Sequence, residues 1–174
     1  MATFDMTAKS TAGVDSNSIA VLPSARNKTY LAETILDIAK LVTAGTFSTV
    51  SNGDIFQVLE IPAGTVVIAA GAEVLTAWNG SSPTVDIDFA EGDDIVDGGD
   101  VSSTGFLASG TAGGANEPTA TTYTHFQSAT DTIDVNVIAA SSDVSVGILR
   151  VYAICCDLTG VADNADEVVR DQLA

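Results

Sequence analysis

Positive charge is what this chain lacks most: six Lys and Arg stand against 23 Asp and Glu, a formal charge of −17 at pH 7. Such a surface repels a phosphate backbone and an anionic membrane alike, so direct nucleic-acid binding is not expected. Cysteine is nearly as scarce. The two present, Cys155 and Cys156, are neighbours in an apolar run. Adjacent residues of a strand point to opposite faces, so the pair is expected to be reduced and buried, as befits synthesis in a reducing cytoplasm. The one histidine, His125, cannot make a multi-His metal site and reads as a packed or surface residue. No G-x-S-x-G, Walker, H-E-x-x-H or C-x-x-C motif occurs, which leaves no basis for an enzyme. Apolar runs fall short of the roughly 18 residues of a membrane span, and the start MATFDMTAKS has neither a basic stretch nor an apolar signal core. No cofactor is implied.

What is there is acid on an apolar frame. Hydrophobic residues make up 46% of the chain, too many for a disordered acidic tail, whose low hydrophobicity would keep it unfolded. The carboxylates therefore decorate a folded body. With 174 residues, one domain with a sizeable core is expected. Gly, Ser, Thr and Val are plentiful while Leu, Glu and Lys are sparse, a composition that suits strands joined by turns.

Residues 1–28 are rich in Ser, Thr and Asn and poor in apolar periodicity, so they read as an extended arm that orders against a partner. The body is expected over residues 29–160. Tyr30, Ala32, Thr34, Leu36 and Ile38 share one side of a strand. The stretch 38–42 before Ala44-Gly45 reads as a helical turn with a glycine cap. Asn52-Gly53-Asp54 and Pro62-Ala63-Gly64-Thr65 are turns bounding a strand at 55–61. Residues 66–78 return as a longer strand with a glycine bulge expected at Gly71. Further strands are expected at 84–90, 105–108, 132–139 and 144–158, the last the longest, with an exposed loop over 109–122. Many short strands at this spacing predict an all-β, single-domain β-sandwich of the jelly-roll kind. An acidic tail, residues 161–174, closes the chain.

The segment Asp86 to Asp100, DIDFAEGDDIVDGGD, carries seven carboxylates and no cation. Hard cations want several oxygen ligands, so Asp86, Asp88, Asp93, Asp94, Asp97 and Asp100 have the composition of a Ca²⁺ site. The EF-hand spacing is not met: counted from Asp86, the sixth residue is Glu91 and the twelfth Asp97. A solvated loop, held to the sandwich by Phe89, Ile95 and Val96, is expected in place of a metal site. Trp78 reads either as an interface anchor or as a lid on the core.

The order of features resembles a family. The arm, then Asp54-Ile55-Phe56-Gln57-Val58-Leu59-Glu60-Ile61-Pro62-Ala63-Gly64-Thr65, Thr84-Val85-Asp86-Ile87-Asp88 with its acidic loop, Thr132-Ile133-Asp134-Val135 and Arg150-Val151-Tyr152-Ala153 are similar to small structural proteins of tailed bacteriophages, notably aquatic and marine podoviruses. These are regarded as capsid decoration, or cement, proteins. The resemblance implies a β-sandwich on the outside of the virion's capsid, often a homotrimer, that bridges neighbouring major capsid proteins and has no catalytic residues. In that role the cations Lys9, Arg26 and Lys28, half of the six in the chain, would let the arm lie on the shell, with Trp78 as a further contact. The alternative is a head-fibre, tail or adhesin module that binds a host glycan or receptor. A hydrolytic jelly roll comes third, for want of an active site.

Overall fold

A computed structural model describes residues 3–5, 29–89, 95–108, 125–139 and 144–158. Strand β2 (Thr29–Asp37) runs into the one-turn helix α1 (Ile38–Thr43). Asp37 caps the helix by accepting a 3.1 Å bond from the Lys40 amide, which meets one of the orphan donors of the first turn. Gly45, at φ +75°, ends it as the sequence suggests. Then follow β3 (Ile55–Ile61), β4 (Thr65–Thr76), β5 (Thr84–Phe89), β6 (Val96–Asp100) and β7 (Gly105–Ala108). The short β8 (His125–Gln127), β9 (Asp131–Ala139) and β10 (Ile148–Asp157) complete the body.

These strands form two sheets. Sheet A has the order β3-β9-β5-β6 and sheet B the order β2-β10-β4-β7, with β8 also on β4. Successive strands cross from one sheet to the other except at the β5–β6 hairpin and the β7–β8 step. Two interleaved four-stranded sheets of this order are a jelly roll, as expected. Every named pairing within these two four-strand paths is antiparallel. The core between the sheets is filled by Leu36, Phe56, Leu59, Ile61, Val67, Ile87, Ile133, Val135, Leu149 and Val151, all fully buried.

Several details depart from the sequence pattern. Residues Thr3–Asp5 of the expected arm form a strand, β1, that pairs in parallel with β3, Phe4 opposite Phe56. The rest of the arm, with Lys9, Arg26 and Lys28, lies outside the described residues, as do the 109–122 loop and the acidic tail. Gly71 is not a bulge: it pairs regularly with Tyr152. A β-carbon there would sit 2.8 Å from the Tyr152 hydroxyl and 2.8 Å from the Leu107 carbonyl oxygen, so the glycine lets a ring and a backbone close in. The register of β4 on β10 slips instead at Leu75 and Ile68. Both bulged side chains are exposed, at 41% and 44%. In the same way β10 is shorter than the run 144–158. Val144 makes only an isolated bridge to Val50, and the strand proper begins after Gly147.

Candidate functional site

The two outer faces of the sandwich differ in chemistry, and the difference follows from strand alternation. On sheet A the core takes Val85, Ile87 and Phe89 of β5 and Ile133, Val135 and Val137 of β9. Their neighbours Asp86, Asp88, Thr132, Asp134 and Asn136 therefore point outward. Asp88 pairs with Asp134 across the strands, and Asp86 with Asn136. The side chains are tied to one another: Asn136 Nδ2 donates to Asp88 Oδ2 at 2.8 Å, Thr132 Oγ1 to Asp134 Oδ1 at 2.6 Å, and the Gly98 amide to Asp86 Oδ1 at 2.7 Å.

This corrects the picture of one solvated acidic loop. Asp86 and Asp88 belong to β5 and Asp97 and Asp100 to β6, so the segment is a hairpin; Asp93 and Asp94 lie outside the described residues. Asp86 and Asp88 are buried, at 9% and 1% exposure, while Asp100 is exposed. The difference goes with strand position: Asp86 and Asp88 lie on β5, between β9 and β6, while Asp100 ends the edge strand β6. Among the described residues no three His, Cys, Asp or Glu side chains are grouped to hold a metal ion.

Sheet B presents the opposite chemistry. Its outer face carries Leu31, Glu33 and Ile35 from β2, Ile148, Arg150, Tyr152 and Ile154 from β10, and Glu73 from β4. Phe106 of β7 stands beside Glu73, and Phe126 of β8 beside Val66. Among the described residues eight large hydrophobic side chains are exposed; seven of them, all except Ile138, lie on sheet B or at its ends. Phe106 and Phe126 are the most open, at 62% and 57%. Apolar area gathered on one face is the mark of an interaction surface.

At the centre of that face sits one cation. Arg150 reaches Glu73 Oε2 through Nη2 at 3.2 Å and Glu33 Oε2 through Nε at 3.9 Å, joining β2, β10 and β4. Beyond it, towards α1, the face runs into a groove of about 520 Å³ bordered by Lys40, Thr43, Thr76, Val146 and Ile148.

Trp78 is 3% exposed and belongs to the core, where its amide donates to the Val101 carbonyl at 2.9 Å. His125 stacks on Phe89 with ring centroids 4.7 Å apart and lies 2.9 Å from Gln127 Oε1. The cysteines are free; Cys155 is buried and Cys156 half-buried. Burial pushes the Cys155 thiol up to about 11.

No family model and no curated protein matches this chain. Among solved structures, a chain from the capsid of Ralstonia phage GP4 is similar over 78% of this chain and 88% of its own, with a TM-score of 0.57 and 14% identity. The likeness is one of fold. A chain from the acidic stable capsid structure of Helicobacter pylori bacteriophage KHP30 aligns over 72% of this chain and 86% of its own, with a TM-score of 0.39 and 19% identity.

The apolar face could not be read from alternation alone. Both faces of β2 and β10 carry apolar residues, and only the pairing shows which set is inside. The usable signal was the apolar residues left over: Leu31, Ile35, Ile148 and Ile154 exceed what one small sandwich hides.

Proposed function

We propose that the protein is a structural component of a bacteriophage virion, a capsid decoration or cement protein that binds the outside of the head and bridges neighbouring major capsid proteins. The observation that carries this reading is the contrast between its faces. An apolar sheet B is suited to be covered by a protein partner, while sheet A, which among the described residues exposes only Ile138 of the large hydrophobic side chains, is suited to face water, and the net charge of −17 keeps particles dispersed. The jelly-roll fold, shared with a chain of the Ralstonia phage GP4 capsid, supports the reading, and it supports a structural role rather than an enzymatic one. Each copy adds a modest interface, and many copies act together across the seams of the shell. Assembly as a homotrimer, with the arm cations Lys9, Arg26 and Lys28 on the shell, belongs to the same proposal.

Quantifying the protein in purified virions tests it. Hundreds of copies per head are expected, released together when Phe106→Asp and Ile68→Asp are combined to make the face polar. A handful of copies would favour the head-fibre or tail alternative, and none would end the proposal.

A further inference from the structure

Sheet edges expose unpaired backbone donors and acceptors, and most proteins blunt them. Three of the four edges here are blunted. On sheet A, β3 is covered by β1, and β6 is five residues long with two glycines, Gly98 at φ +62°, and Asp97 and Asp100 among them. The far edge of sheet B is divided between β7 and β8, four and three residues long.

The fourth edge is different. β2 runs nine residues, TYLAETILD, with no proline, lysine or arginine, and pairs with β10 at nine consecutive positions without a register shift. Among the described residues no strand lies on its other side. Its exposed side chains are apolar at Leu31, 45% open, and half-buried at Ile35.

We propose that this edge pairs with the same edge of a second copy, antiparallel, about a two-fold axis at Glu33. In that register Leu31 of each copy faces Ile35 of the other, so both apolar residues of the outer row are matched, and on the core side Tyr30 meets Leu36. The neighbouring registers fail. Centring on Thr34 sets Leu31 against Asp37 and Ile35 against Glu33, and centring on Ala32 sets Leu31 against Glu33. Shifts of half a step would turn one sheet over, core face to outer face. A strand whose side chains match their own reversed order fits an isologous contact. The two Glu33 carboxylates meet at the axis, each with its own Arg150 3.9 Å behind it. That meeting and the charge of −17 on each copy oppose association, so the contact strengthens as salt screens them. The product is a continuous sheet eight strands wide, ten with the two copies of β8, whose apolar faces lie side by side. This inference needs no capsid and does not rest on the function proposed above.

Sedimentation of the purified full chain over rising concentration and salt is the first test. Even-numbered species are expected, dimers or, if copies also form trimers, hexamers, and more of them at high salt. Leu31→Lys with Ile35→Lys should weaken this association by at least about ten-fold, whereas Phe106→Lys, on the far side of the sheet, should not. Register is tested by oxidation in a Cys156→Ser background. Glu33→Cys should form a covalent dimer, because directly opposed residues of antiparallel strands lie within disulfide reach. Thr29→Cys should not, since its twin would be about 27 Å away at 3.4 Å per residue. A chain that stays monomeric or purely trimeric under all conditions, or a Glu33→Cys variant that fails to cross-link while it does dimerise, overturns the proposal.

Discussion

The Trp78 indole closes on the bare Cα of Gly147, where a β-carbon would come 2.7 Å from Trp78 Cγ and 2.8 Å from Nε1. The contact is fixed from both sides. Asn79, next to the indole, accepts from the amides of Ser145 and Val146 at 2.9 and 3.0 Å and donates from its own amide to the Val146 carbonyl at 3.2 Å. Neither partner can step aside.

Gly147→Ala should therefore destabilise the protein by about 3 kcal/mol, the upper end of ordinary overpacking. Trp78 is the only tryptophan, so its emission follows urea unfolding directly. A cost below about 1 kcal/mol would mean that the indole can rotate out of the core.

Arg150→Met should leave Glu33 and Glu73 facing each other with no cation between them. A loss of about 1 kcal/mol at low ionic strength is expected, because the three groups are partly solvated. The loss should shrink in high salt as the carboxylates are screened. Melting curves at two salt concentrations check both the size and the trend.

Alkaline pH should weaken the fold through Cys155. Its thiol, ordinarily near 9.0, is held by burial at about 11, and burial also raises the neighbouring Tyr30 hydroxyl. The folded chain keeps a proton that the unfolded chain releases, so stability is full below about pH 9 and falls as pH rises towards about 11, by about 2 kcal/mol. Urea midpoints across that range should show the decline, and Cys155→Ala should flatten most of it. The slope left over belongs to Tyr30.

Chelation should change nothing. The carboxylates Asp86, Asp88 and Asp134 each accept a bond from a protein donor, Gly98, Asn136 and Thr132 in turn, and among the described residues no three acids are grouped to hold an ion. EDTA is expected to leave the melting temperature where it was. A rise of several degrees in millimolar Ca²⁺, lost on Asp93→Asn with Asp94→Asn, would instead make the β5–β6 turn a metal site, since a micromolar site would add about 4 kcal/mol.

Much of the fold was legible because its signals are local. The α1 stop at Gly45, the turns at Gly53 and Gly64 and the alternation of β9 are each written within a few residues. What was illegible depends on distant partners. Gly71 looked like a bulge, yet its reason is the Tyr152 ring, 81 positions further on. Asp86 and Asp88 looked solvated because acid predicts exposure, but a central strand fixes position before it consults charge. The pairing of β1 had no signal in Thr3–Asp5, since a parallel partner 52 residues away leaves no turn between the two. The interaction face was half legible: surplus apolar residues were visible in β2 and β10, but their side of the sheet was not.

The position of β10 also bears on how the protein can be made. It is the strand between β2 and β4, and among the described residues it comes after every other strand in sequence. Until residues 148–157 emerge from the ribosome, β2 and β4 have nothing to join them, and sheet A has only half a core to close upon. Folding of the body must then await the synthesis of residues 148–157. Contacts spanning this much of the chain form slowly, which leaves the apolar strands bare in the meantime. The heavy negative charge that disperses the finished protein would protect the nascent one first.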